Sequence, residues 1–442
     1  MTAVSPPAPR SASWTNLAWW AKGLIGLLAL YTVAHLVYSV THYTIFSADM
    51  YRSRDFHRVF VEAQSWLETG VYPNSEVRYP PLYYLLLWPL TGMDFRAVTY
   101  LLYALQFLYF PAAGYFLVKA ISPTPRPSAL EYLLAMILIV NFQPFLETLA
   151  QHKVEGIEWL LICAALYAFR QRRDVVTGAL ICLAANLKYL PALLMFYFIW
   201  KREWKAVQGI AWMLAGIAAI LLFVIGPERL WTSGIQYAWT FFAGSKIAGT
   251  RPEGCIEFQN LAGTVYRWFV DTNGMLKHFD TEGYIPVSHP RLALAIATSL
   301  KALLTVGYLA FVRRAWPASQ RPARWNLYLI EISFTLLMIF VLASAGRVHY
   351  AILLLPAFLA GAFWLYHHPD RFPLRAKLLF WLAYGLTAMI VPGGLLNRLP
   401  PHPVWGTYHY YYYLWMSMPF YGDVLLGFFL WWCYRTFTRT DG

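Results

Sequence analysis

Residues 204–226 read WKAVQGIAWMLAGIAAILLFVIG, and Lys205 is the only charged side chain among them. At about 1.5 Å of helical rise per residue this stretch extends about 34 Å, enough to cross the roughly 30 Å hydrocarbon core of a bilayer. A run this long and this apolar reads as a transmembrane helix.

The same reading extends along the chain. Trp14 to about Val40 is a first span, and further spans are expected over 95–119, 128–147, 155–170, 291–313, 325–345, 348–366, 375–396 and 408–433. The stretch 174–200 is interrupted at Lys188–Pro191 and reads as one kinked span or as a hairpin of two short helices. Residues 81–92 are apolar but short, opened by Pro80 and Pro81 and closed by Pro89 and Gly92, which fits a surface or re-entrant helix. The expected fold is all-α: a polytopic integral membrane protein of eleven to twelve spans, one domain over 1–442.

Composition agrees. The chain has 442 residues, 59% hydrophobic and only 13% charged, about half the charged share usual for soluble domains. So few charges could not solvate the surface of a soluble protein with this much apolar content. A soluble two-domain enzyme, a disordered chain and a secreted disulfide scaffold are excluded. Cys163, Cys182, Cys255 and Cys433 form no C-x-x-C pair. A polar tail with Pro6, Pro7, Pro9 and Arg10 precedes the first apolar run, and no A-x-A cleavage site follows it, so that run is expected to be a retained helix.

The net charge of +13 points to basic loops against anionic lipid, with no nucleic-acid partner expected. Basic turns occur at Arg170–Arg173, Lys201–Lys205, Arg313–Arg324 and Arg371–Lys377, and Arg435 and Arg439 lie near the C-terminus. Two long polar regions differ. Residues 41–80 hold four basic against five acidic side chains, and residues 227–290 hold five against six. Both are therefore expected outside, as extracytoplasmic loops 41–94 and 227–290, with both termini in the cytoplasm. A bacterial plasma (inner) membrane is the expected location.

The chemistry-bearing residues gather near these loops. In RDFHRVFVEAQSWLETGVYP (54–73), Phe56, Val59, Phe60, Ala63 and Leu67 recur at helical spacing and form one apolar face. This reads as an amphipathic helix on the membrane surface. Asp55 at its start is either a helix cap or a carboxylate held at the water–lipid boundary as a general base. Arg52, Arg54 and Arg58 around it either bind a lipid phosphate or face headgroups. Lys188, in the apolar AANLKYLP (184–191), either snorkels from a helix end or lines a cavity. Arg347 and His349, in ASAGRVHY (343–350), stand at the outer junction of two expected spans, as interfacial anchors or as functional residues. Glu155 and Glu158 are one turn apart at the head of a span. They either occupy a helix start or pair with Lys153 or His152. No compact His/Cys/Asp set occupies an outer loop, and His367, His368 and Asp370 fall on the expected cytoplasmic side, so no metal is expected. Tyr408, Tyr410–Tyr413, Trp405 and Trp415 read as an interfacial aromatic belt.

RDFHRVFVEAQSWLETGVYP, followed by RYPPLYYLLLWPL (78–90), resembles the start of the polyprenol-phosphate-dependent glycosyltransferases of the GT-C superfamily. The nearest resemblance is to glycosyltransferase family 87, which includes mannosyltransferases. That family has an Asp after the first helix, an amphipathic helix ending in Gly and Tyr, and a Tyr-Pro-Pro segment, here Asp55, Gly70, Tyr72 and Tyr79-Pro80-Pro81. Where it commonly has Gly-Gln before a spanning helix, this chain has Val154-Glu155-Gly156-Ile157-Glu158. The resemblance resumes with Gly178, Lys188 and Pro191, with FQNLAGTVYRW (258–268), and with the His before a Leu-Leu-Pro run at 349–356. It implies a sugar on polyprenyl phosphate as donor and a lipid or glycan acceptor. It also implies inverting extracytoplasmic transfer without nucleotide, metal or other cofactor. Mannose is the expected sugar. Asp55 and His349 would be catalytic, Arg347, Lys188, Arg58 and Arg54 would hold the donor phosphate, and Tyr79, Glu155, Glu158, Gln259 and Asn260 would bind substrate.

Physical chemistry is consistent with those roles. The leaving phosphodiester becomes a phosphate monoester and gains negative charge, so adjacent cations stabilise the transition state more than the ground state. One carboxylate near the acceptor hydroxyl takes its proton, without the paired carboxylates of glycoside hydrolases. Two other readings fit a membrane protein with external loops: a transporter or flippase of polyprenyl-linked lipid or glycan, and a non-catalytic assembly subunit. Neither needs a base at Asp55.

Overall fold

The computed structural model describes residues 19–41, 54–73, 79–150, 152–242, 259–269, 289–313, 320–343, 348–389 and 417–440, and the secondary structure over them is helical. Helix α1 (Trp19–Val40) is apolar all round and leaves most of its side chains exposed, as a lipid-facing helix should. Asn141 Nδ2 donates to Thr32 Oγ1 across 2.9 Å and ties it to the bundle.

Helix α2 (Arg54–Thr69) buries Phe56, Val59, Phe60, Ala63 and Trp66. Four of the five residues of the expected face are buried; Trp66 joins them, and Leu67 is only partly covered. Gly70 ends the helix at φ +75°, and its N–H donates to the Trp66 carbonyl over 2.8 Å. The apolar face rests on α3 (Pro81–Leu87), seven residues entered through Pro80 and Pro81, and Tyr84 donates its hydroxyl to Glu62 Oε2 (2.9 Å). The α3 segment is too short to span.

Then come α4 (Phe95–Ile121), α5 (Ala129–Val140), α6 (Gln143–Ala150), α7 (Glu155–Arg170), α8 (Asp174–Leu187), α9 (Ala192–Trp200) and α10 (Trp204–Phe242). Asp94 Oδ2 caps α4 by accepting from the N–H groups of Arg96 and Ala97. A Ser128–Glu131 capping box starts α5. Helix α10 breaks at Gly226, φ +79°, ahead of Pro227, and continues to Phe242. The later helices are α11 (Leu261–Phe269), α12 (Pro290–Phe311), α13 (Trp325–Leu342), α14 (Leu355–His367), α15 (Leu374–Ala388) and α16 (Met418–Thr440), with a 3-10 turn over Val348–Leu354.

Side-chain bonds fix the directions of the short helices. Arg321 donates to Asp174, the first residue of α8, and to Glu203, just before α10. Those two helices therefore start at the same end of the bundle, and α9 must return the chain to it. Residues 174–200 are thus a hairpin of two short helices turning at Lys188–Pro191. Helices α8 and α10 touch backbone to backbone: a Cβ on Gly178 would collide with the Ala206 carbonyl, and one on Gly209 with that of Val175. The span of α13 and the segment Val348–His367 are mostly buried and form the centre of the bundle.

Among the described residues six helical segments are long and apolar enough to cross a membrane, or seven if the bent pair α5–α6 counts as one. The protein is thus polytopic, with six or seven such segments among the described residues against the eleven to twelve spans expected. The expected span 128–147 is bent by 69° after Val140. Helices α7, α8, α9 and α15 have 16, 14, 9 and 15 residues, short of the roughly 20 a straight span needs. Helix α16 carries Asp423, Arg435 and Arg439 and lies later than the expected 408–433.

The basic turns need one correction. Lys201 and Arg321 are buried, not solvated loop cations. Arg321 also lies 3.9 Å from the Phe169 ring centroid, and Lys201 Nζ is 2.8 Å from Glu331 Oε2. Arg170, Arg172, Arg173, Arg202 and Arg324 flank these pairs in sequence, so this remains the basic end of the bundle.

Candidate functional site

The opposite end holds a buried polar cluster. Helix α8 stops where Lys188 turns to extended backbone (φ −154°, ψ 143°). The side chain points inward and forms an ion pair with Glu155, the first residue of α7. Both are almost fully buried, so the pair is not screened by water. His349 Nε2 lies 3.3 Å from the same Glu155 oxygen. The Lys188 ammonium sits 4.0 Å from the Tyr350 ring centroid and 5.4 Å from that of Tyr79, within cation–π range of both. Tyr83, one turn into α3, packs its ring 4.8 Å from Tyr79. Tyr72 donates its hydroxyl to the Tyr79 carbonyl, just before Pro80.

Glu158 is one helical turn beyond Glu155 and fully buried. Neither of its carboxylate oxygens, nor Glu155 Oε2, has a hydrogen-bond partner among the described residues. Buried carboxylate oxygens are costly to leave unpaired. Gly156 sits between them. A Cβ there would lie 2.9 Å from Tyr109, so only glycine lets that ring close against the first turn of α7.

Four sequence-derived candidates, Lys188, Glu155, His349 and Tyr79, are brought together, with Glu158 one turn away on the same helix. The structure resolves the open alternatives: Glu155 and Glu158 stand in the first turn of α7. Lys188 does not snorkel, because its ammonium is paired inside. Glu155 takes Lys188 and His349 as partners, with the Lys153 charge also acting on it; His152 instead faces Gln106 (Nδ1–Nε2 3.3 Å) and packs on Tyr103. Arg58 reaches Glu62 on its own helix at 3.5 Å and is partly exposed. Asn260 accepts from the Gly263 N–H (2.8 Å) and donates to the Ala343 carbonyl (2.6 Å), fastening the start of α11 to the end of α13. Gln259 beside it is buried. Arg54 and Asp55 fall in the first turn of α2; their side chains, and Arg347 altogether, lie outside the described residues. His367 binds Glu131 at 3.0 Å.

Residues 78–345, more than half of the chain, match the model of glycosyltransferase family 87. The chain belongs to glycosyltransferase family 87. It is a polytopic membrane glycosyltransferase, and the family goes with a polyprenyl-phosphate sugar as donor. The family 87 match contains Tyr79, Glu155, Glu158, Lys188, Gln259 and Asn260, while Arg54, Asp55, Arg58, Arg347 and His349 lie beyond its ends. No match was found among curated proteins or among solved structures.

Sequence reasoning did not single out Tyr83, Tyr109 or Tyr350. The only local signal was at Tyr350, which directly follows His349. It also missed the buried pairs of Arg321 and Lys201. Glu331, a lone acid in the apolar WNLYLIEISFTLLMIFVL (325–342), was the signal for the second.

Proposed function

We propose that this family 87 enzyme transfers a hexose, mannose in the first instance, from polyprenyl phosphate to a lipid or glycan acceptor, with inversion, on the extracytoplasmic face. The observation that carries the reading is the buried Lys188–Glu155–His349 cluster, ringed by tyrosines and lying opposite the basic turns. Positive-inside asymmetry would put those turns in the cytoplasm and the cluster at the outer surface. Loops 41–94 and 227–290 then roof it from outside, on a single domain of residues 1–442 in a bacterial plasma membrane.

In the proposed step the acceptor hydroxyl oxygen bonds to the anomeric carbon from the face opposite the phosphate. The bond from that carbon to the phosphate oxygen breaks, and the hydroxyl proton passes to the Asp55 carboxylate. Polyprenyl phosphate leaves as a monoester with added negative charge. Lys188, with Arg347, Arg54 and Arg58, stabilises that charge where little water competes. His349 holds Glu155 in place and shares proton handling. Glu155 Oε2, Glu158, Tyr79 and Gln259 accept from or donate to sugar hydroxyls, and Asn260 holds the start of α11 against the end of α13 beside them. No metal enters this step.

The test is to incubate purified protein with radiolabelled polyprenyl-phosphate mannose and a membrane lipid extract, resolving products by mass. A mannosylated lipid together with free polyprenyl phosphate is expected, and no product from a nucleotide-linked mannose. Movement of intact donor across liposome bilayers without any sugar transfer would overturn the reading in favour of a transporter.

A further inference from the structure

A second site lies at the basic end of the bundle, between the start of α15 and the end of α16. A cleft of about 570 Å³ is lined there by Arg375 and Leu379 from one helix and by Trp431, Trp432, Arg435 and Arg439 from the other. Arg435 and Arg439 are four residues apart and so share one helix face, where like charges repel. Arg375 faces them from α15, its guanidinium 4.8 Å from the Trp432 ring centroid. Among the described residues no carboxylate pairs with any of the three arginines. Three guanidinium groups converging on one cleft without an acid call for an anion with several oxygens, and the guanidinium fork matches phosphate.

The walls identify where that phosphate comes from. Leu378, Trp381 and Leu382 continue along α15 away from the arginines, and Phe428 precedes Trp431 on α16; all four are exposed. In a membrane protein such a surface faces acyl chains. The arginines stand at its foot, with two tryptophans at the level where indole rings prefer the headgroup region. We infer that this cleft is a binding site for an anionic phospholipid, its phosphate on Arg375, Arg435 and Arg439 and its chains along the apolar stripe above. The cleft is far from the Lys188 cluster along the bundle, so it is distinct from the donor phosphate site, and the inference does not depend on the proposed reaction.

The experiment is native mass spectrometry of the purified full-length chain titrated with dioleoyl phosphatidylglycerol or dioleoyl phosphatidylcholine. Compared with wild type are the triple variant R375Q/R435Q/R439Q and a control, R172Q/R173Q/R202Q, which removes three exposed charges elsewhere at the same end. Wild type and control should retain phosphatidylglycerol alike, in preference to phosphatidylcholine, and the cleft variant should bind it at least about tenfold more weakly, since each basic residue near a membrane surface contributes several-fold to anionic lipid affinity. Inorganic phosphate should not displace the lipid. Equal losses in both triple variants, no preference between the lipids, or displacement by inorganic phosphate would each overturn the inference. Should the cleft variant fail to fold, photo-crosslinkable phosphatidylglycerol on wild type decides the matter. A crosslink on α15 or α16 supports the site, and crosslinks confined to other helices reject it.

Discussion

Replacing Lys188 by Met removes one member of the buried pair and leaves Glu155 ionised without its ammonium. The side chains are 3% and 0% exposed, so the cost is that of an orphaned buried charge, about 3–5 kcal/mol, not the 0–1 kcal/mol of a surface pair. For 442 residues the unfolding entropy scales to roughly 0.9 kcal/mol per degree, so Tm should fall by roughly 3–5 °C. Adding Glu155→Met removes the orphaned charge and fills the space with an apolar chain of similar length. The double variant should recover most of the lost stability. It should not recover sugar transfer, because the cation beside the phosphate is still missing; a loss of tenfold or more, roughly 1.4 kcal/mol of transition-state stabilisation, is expected in both variants. The assay is thermal unfolding in detergent with transfer measured on the same preparations. A Lys188→Met protein that melts with wild type would refute the buried pair, and a double variant with full transfer would refute the phosphate role.

Glu158→Gln keeps the shape of a buried carboxyl group whose oxygens have no hydrogen-bond partner among the described residues, so thermal unfolding should show stability equal to or above wild type, with KM for the donor raised; a loss of several degrees in Tm would show that the carboxylate is structurally required. Gly178→Leu should destabilise the α8–α10 contact by about 1–3 kcal/mol, because the Ala206 carbonyl occupies the space; a melting curve unchanged from wild type would reject that packing. In a variant free of native cysteines, Ser75→Cys and Ser245→Cys should react with an impermeant thiol reagent on intact cells, and labelling only after permeabilisation would reverse the orientation.

Much of this architecture could be read from local pattern. The amphipathic α2 follows from apolar residues three and four apart, and the α8–α9 hairpin from the Lys188–Pro191 interruption. The bend between α5 and α6 was hidden because hydropathy over 128–147 averages across Asn141–Pro144. Boundaries near the C-terminus also shifted: α15 ends at Ala388, before the expected 396, and Met389 follows it in left-handed geometry (φ +50°). In the site, Lys188 and Glu155 stood out because a charge in an apolar stretch needs a reason. Their pairing did not, because it joins the end of one helix to the start of another and exists only once α7 and α8 run antiparallel. The same limit hid Arg321, whose partners Asp174 and Glu203 lie more than a hundred residues before it.

The central claim is transfer from a lipid-linked sugar with Asp55 as base, and Asp55→Asn tests it most directly. The substitution keeps shape and compatibility with the first helical turn but removes basicity. Transfer, donor binding and melting are measured on one detergent preparation of the variant. The account predicts abolished sugar transfer, retained binding of polyprenyl-phosphate mannose and a Tm within about 2 °C of wild type. Transfer at a near-wild-type rate would contradict it.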